Sequence, residues 1–178
     1  MRVLKITGII VLAVLMLLMV IALILPKEIK IEQPVVIEAS VEHVFPQVSN
    51  FKNMEVWSPW KDYDPEMIVT YEGEDGKEGA VYEWSGNKDV GSGQQKIIKL
   101  KENERIDIKL SFFEPWNSES DIYFIFNEID KNKTEVIWGY IEETPIPKNL
   151  LFTAFGLKKS LKKEFDKGLN RLKDICEN

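Results

Sequence analysis

Residues 9 to 25 read IIVLAVLMLLMVIALIL, without one polar side chain. With Ile6, Thr7 and Gly8 in front, the run reaches about 20 residues, enough as an α-helix to span the roughly 30 Å hydrocarbon core of a bilayer. A chain divided in this way has two solvents to satisfy. The run predicts a membrane anchor within residues 1–26, with residues 6–25 in the bilayer, and leaves residues 27–178 to build a core of their own.

A cleaved secretory signal is the competing reading. Its apolar region is about 7 to 15 residues long and ends in an A-x-A-like site, whereas here Ala22 is followed by Leu23, Ile24, Leu25 and Pro26. No cysteine lies near the run, so a bacterial lipid-anchor junction is excluded. Arg2, Lys5 and the terminal amine flank one side, against Lys27 and Lys30 on the other, a thin margin for the rule that places basic residues inside. The five-residue head fits a cytoplasmic N-terminus. A single-pass protein with an extracytoplasmic domain is the expectation.

About 150 residues remain after the anchor, a size that buries a substantial single core. Setting Arg2 and Lys5 aside, they carry 21 basic against 29 acidic side chains, a formal charge of minus eight. That field opposes broad attraction to nucleic acid or to anionic lipid, and no nucleic-acid partner is expected. Cys176, the lone cysteine, has no partner for an internal disulfide.

From about Lys30 onward the sequence reads as short strands split by turn residues. QPVVIEA (33 to 39) sets Val35, Ile37 and Ala39 on one face at period two. Val41, Val44, Phe45 and Val48 follow at helical spacing, with Ser40 as the expected N-cap and Pro46 inside the tolerated first turn. Six further strands are predicted near 67–73, 79–85, 92–101, 105–113, 118–129 and 134–143. EDGKEG, GNKDVG, KENE, EPWN and DKNK separate them, and connections this short join antiparallel neighbours. Ile106, Ile108, Leu110 and Phe112 alternate with Asp107, Lys109 and Ser111, so one face of the sheet is wet. After Thr144-Pro145-Ile146-Pro147, the residues Phe152, Phe155, Leu161, Phe165, Gly168, Leu169, Leu172 and Cys176 recur at steps of three and four. That stripe predicts a long C-terminal helix across the sheet, with Gly156 as a break near its start.

The segments VVIEASVEHVFPQVSNFKNMEVWSPW, YEG, GAVYEWSGNKDVGSG, TEVIW and FDKGLNRLK together resemble the polyketide cyclase/dehydrase-like branch of the START-like (SRPBCC) superfamily, including its membrane-anchored bacterial members. The resemblance covers residues 30 to 176. It implies an α+β helix-grip fold, in which a curved antiparallel sheet of about seven strands wraps the terminal helix and commonly leaves an apolar cavity. Members of that superfamily bind lipids, sterols, quinones or polyketides, while others activate chaperones, so the fold alone does not assign an activity.

The side chains expected to line such a cavity are Trp57, Trp60, Tyr82, Trp84, Phe112, Phe124, Phe126, Trp138, Phe152, Phe155 and Phe165. A solid core would use the same residues. WSPW, at 57 to 60, reads first as a corner plug, since each indole buries on the order of 200 Å², and second as the mouth of a pocket.

Other features carry less. Asp62, Asp64 and Glu66 alternate like the start of an EF-hand loop, but Met67 stands where that loop needs glycine, and no metal is expected. GNKDVGSG lacks both the dinucleotide-binding spacing and the P-loop ending. NKT at 132–134 reads as a hairpin turn rather than a glycosylation site. His43, Tyr82 and Glu83 are the acid–base candidates, and none comes with a partner set, so no catalytic residue and no cofactor is assigned. The lysines of the last helix read as a solvated face, with headgroup contact as the alternative. The chain therefore reads as a membrane-tethered module for a hydrophobic or amphipathic, lipid-like small molecule. The alternatives are a protein-interaction module and, further off, a cyclase or dehydratase.

Overall fold

The computed structural model describes residues 2–178. Its first element, α1 (Arg2–Ile24), contains a stretch, Lys5–Ile24, with a mean hydropathy of 3.1, long and apolar enough to cross a membrane. Leucine, isoleucine and valine are exposed all around it, and Ala22 is its one buried core residue among the described residues. A helix apolar on every side has no polar face to turn to water.

Seven strands follow: β1 (Glu28–Ile37), β2 (Ile68–Glu72), β3 (Val81–Ser85), β4 (Ser92–Lys101), β5 (Arg105–Glu114), β6 (Ser118–Asp130) and β7 (Lys133–Glu143). They form one antiparallel sheet in the order β1-β7-β6-β5-β4-β3-β2. β2 to β7 lie where the turn chemistry places them. β1 begins earlier than the sequence reading, at Glu28 rather than Gln33, because Ile29 and Ile31 already face inward between the exposed Glu28, Lys30 and Glu32. Pro34 is tolerated there because β1 is an edge strand. Register shifts at Ser92/Gly93, Ile97/Lys99 and Glu128/Asp130 help bend the sheet.

The concave face is built at period two: Ile106, Ile108 and Leu110 on β5, Ile122, Phe124 and Phe126 on β6, and Val136, Trp138 and Tyr140 on β7 are all buried. Between β1 and β2 the chain forms α2 (Val41–Ser49), α3 (Phe51–Trp57) and a 3₁₀ turn (Pro59–Asp62). Ser40 does occupy the N-cap of α2, though its side chain makes no capping bond, and Pro46 sits inside the helix rather than in its first turn. Asn50 separates α2 from α3 and caps the second helix, its side-chain oxygen accepting from Lys52 N and Asn53 N.

The C-terminal stripe divides into α4 (Lys148–Ala154) and α5 (Leu157–Glu177). The break is Gly156, held in the left-handed region at φ +61°, where a side chain is disfavoured. α5 buries Phe165, Gly168, Leu169, Leu172 and Cys176, runs along β1 and packs against α3. Gly168 permits the approach: a Cβ there would meet Trp138 Cζ3 at 3.0 Å and Pro59 Cδ at 3.1 Å. This is the helix-grip fold. Since α5 follows the β1 flank, the inner wall of β3 to β5 is met by a helix only where Phe51 of α3 packs on Tyr82 of β3, ring centroids 5.8 Å apart.

Candidate functional site

Against that wall lies a cavity of about 460 Å³, bounded by the sheet, α3, the start of α5 and three loops. Its walls are aromatic. Trp84 stands edge-on to Phe112, with ring centroids 5.4 Å apart, and its Nε1 donates to Val90 O at 3.2 Å. Gly93 makes room for that ring, since a Cβ would lie 2.6 Å from Trp84 Cη2. Trp138 lies flat on Phe165, centroids 4.1 Å apart and planes 2° from parallel.

The two tryptophans of WSPW take different environments. Ser58 is extended at φ −56°, ψ 129°, and Pro59 opens the 3₁₀ turn, so the two indoles project from different elements. Trp57 is fully buried, donates through Nε1 to Gln47 O at 2.8 Å, and meets Trp138 edge-on at 5.5 Å. Trp60 is half-buried and tilts against Tyr63. Both line the cavity, as do Trp84, Trp116 and Trp138, so every tryptophan of the chain borders this space.

Part of the lining is polar. Tyr140 Oη donates to Glu142 Oε2 at 2.6 Å, Lys148 Nζ donates to Glu142 Oε1 at 2.6 Å, and Ser120 Oγ lies 3.0 Å from Tyr140 Oη. Glu142 is 4 % exposed, so its charge is held by these partners rather than by water. Burial, and then the neighbouring carboxylate, push the Tyr140 phenol far above its ordinary pKa, which keeps it a neutral donor. Glu55, also in the lining, is bound by Lys61 and Tyr71. Burial opposes its ionisation, but hydrogen bonds from Lys61 and Tyr71 outweigh that effect and lower its pKa. Burial also raises the Tyr82 phenol well above its usual range.

Of the eleven side chains expected at a cavity, Trp57, Trp60, Tyr82, Trp84, Phe112, Phe124, Trp138, Phe152 and Phe165 line this one, and Phe126 and Phe155 do not. Phe126 is on the concave face, but it packs edge-on against Phe45 of α2, centroids 5.0 Å apart, at the end of the sheet that α2 covers. Phe155 is 76 % exposed, because the left-handed Gly156 takes α4 out of phase with α5. Sequence reasoning missed Tyr140, Glu142, Lys148 and Trp116. The first two were signalled: they continue the inward series Val136, Trp138 at period two.

His43 is exposed on α2, away from the cavity lining. Among the described residues no group of three or more His, Cys, Asp or Glu side chains is placed to hold a metal ion.

The family model described as polyketide cyclase/dehydrase and lipid transport matches residues 28–177. The chain belongs to this family. Solved structures share the family fold at low identity. Aha1 from Colwellia psychrerythraea, solved as a dimer, superposes with a TM-score of 0.58 at 19% identity, over 84% of this chain and 96% of that one. A protein from Chromobacterium violaceum gives 0.57 at 15% identity, over 86% and 99%. One from Mesorhizobium loti gives 0.59 at 9%, over 82% and 95%. No curated protein sequence matches the chain. Membership in the polyketide cyclase/dehydrase and lipid transport family gives the chain a ligand-binding fold.

Proposed function

We propose that the chain is a membrane-tethered module, anchored by residues 1–26 and carrying the helix-grip domain of residues 27–178. It holds one hydrophobic or amphipathic, lipid-like molecule between the sheet and α5. The observation that carries this reading is the 460 Å³ cavity with largely aromatic walls and the buried Tyr140–Glu142–Lys148 group in its lining, within the range of about 300–1,000 Å³ usual for small-molecule sites. An acyl or polycyclic body fits against Trp84, Phe112 and Trp138, each buried methylene contributing about 0.8 kcal/mol. Tyr140, Lys148 and Glu142 orient its polar head.

A protein-docking module would be served by a solid core, and a space of this size supports the carrier reading over it. Acid–base chemistry is a second reading, supported by the neutral Tyr140 phenol and Lys148, which each hold one oxygen of Glu142 in the cavity lining. It predicts that a bound carbonyl compound leaves chemically altered, where the carrier returns it unchanged.

Because all five tryptophans border the cavity, brominated fatty acid titrated into the full chain in detergent should quench their emission saturably. An unbrominated competitor should reverse it. Leu161→Phe, which fills the lining from α5, should weaken uptake at least about fivefold, since a crowded apolar site loses both volume and contact. Linear, unsaturable quenching equal in both proteins would remove the proposal.

A further inference from the structure

We infer that the mouth of the cavity faces the bilayer that holds α1, with Trp116, Leu151 and Phe155 seated in its interface, so that a lipid passes between membrane and cavity without crossing water. This rests on the proposed reading of α1 as a membrane span.

The register defines the two edges of the sheet. Glu28 pairs with Glu143, Phe112 with Ser118, Ser92 with Glu114 and Ile68 with Ser85. The starts of β1, β2, β4 and β6 and the ends of β3, β5 and β7 therefore share one edge. Of the cavity-lining residues outside the strands and α3, Met67, the loop Lys88 to Gly91, Pro115, Trp116 and Lys148 of α4 lie there, while Ser58, Trp60, Phe152, Leu157, Leu161 and Phe165 complete the lining from the helical side. The turns of the opposite edge, 73–80, 102–104 and 131–132, contribute no lining residue among the described residues.

α1 leaves from that same edge. Thr144 N donates to Lys27 O at 2.7 Å, and the Asn149 side chain donates to Ala22 O, in the last turn of α1, at 2.7 Å. The first turn of α4 is thus tied to the end of the apolar span by a buried hydrogen bond, which fixes α4 at the depth where the span leaves hydrocarbon.

The exposed side chains at this edge match that depth. Trp116 is 72 % exposed, Phe155 76 % and Leu151 56 %. In water such exposed apolar side chains are a liability, whereas tryptophan and other apolar side chains are favoured at the membrane–water boundary. Lys158, Lys159 and Lys162, exposed at the start of α5, are placed to meet phosphates there.

The test uses the full chain in lipid nanodiscs. On a Cys176→Ser background, Trp116→Cys, Phe155→Cys, Leu15→Cys and Ile129→Cys each carry an environment-sensitive fluorophore. Ile129 sits near the far end of β6, roughly 35 Å away at strand rise, and is exposed at 54 %. Spin-labelled phospholipid should quench the probes at 15, 116 and 155 at least twofold and leave 129 unchanged. A quenched probe at 15 with those at 116 and 155 matching 129 overturns the inference while the tether stands. An unquenched probe at 15 removes the tether, and the inference with it.

Discussion

Lys148 and Glu142 meet at 2.6 Å in the lining of the cavity, the lysine from the first turn of α4 and the carboxylate from the last inward position of β7. Glu142 is buried and Lys148 partly open, so the two substitutions differ. Lys148→Met leaves a buried carboxylate with Tyr140 as its remaining partner and should cost about 2–4 kcal/mol, somewhat below a fully buried pair. Combining it with Glu142→Leu should restore most of that loss, because an apolar pair of similar size removes the desolvation penalty. Denaturant unfolding of both variants measures this, and a double variant no more stable than the single one contradicts it.

Phe126 separates folding from binding. Its ring fills the core against Phe45 rather than the cavity, so Phe126→Ala should cost about 3–5 kcal/mol and leave quenching by brominated fatty acid with an unchanged midpoint under folding conditions. Phe112→Ala, in the cavity wall, should shift that midpoint instead. A shared response to the two substitutions would mean the core and the cavity are not distinct.

Phe112 and Phe126 mark the reach of the sequence. Period two identifies the face of a strand, and it found Phe112, Phe124 and Phe126 on the concave side. It does not say which element covers each part of that face. Here α2 covers one end and the other stays open, a difference fixed by the path of α5 along β1. Charges hid the rest. Glu28, Lys30 and Glu32 mask the start of β1, and the charge of Glu142 hides that it occupies the next inward position after Tyr140. Trp116 lies in the turn that EPWN predicts, and its 72 % exposure is a property of the tertiary structure.

Gly168 should tolerate nothing larger. Alanine there gains about 1 kcal/mol of helix propensity, but its Cβ would press on Trp138 and Pro59 at 3.0 and 3.1 Å, and Trp138 is stacked on Phe165 and met edge-on by Trp57. Gly168→Val should destabilise by about 2–3 kcal/mol and weaken ligand uptake by lifting α5 from Trp138. Urea midpoints equal to wild type would show that the helix shifts freely.

Asp62 ties the 3₁₀ turn to α5. Hydrogen bonds from Arg171 and then Lys167 lower its pKa from 3.8 to about 2. A depressed carboxylate stabilises the fold above its unfolded pKa, and that contribution disappears as the pH falls through the folded value. Asp62→Asn should therefore cost up to about 1 kcal/mol at pH 7, small because the pair is largely solvated. The difference from wild type should shrink between pH 4 and about 2. A gap that persists below pH 2 would point to a lost packing contact instead.

The most direct measurement of the central claim is native mass spectrometry of the full chain released from mild detergent. A 1:1 adduct of lipid-like mass should survive release and be lost selectively in Leu161→Phe. A chain that flies empty, and stays empty after incubation with extracted membrane lipids, contradicts the account.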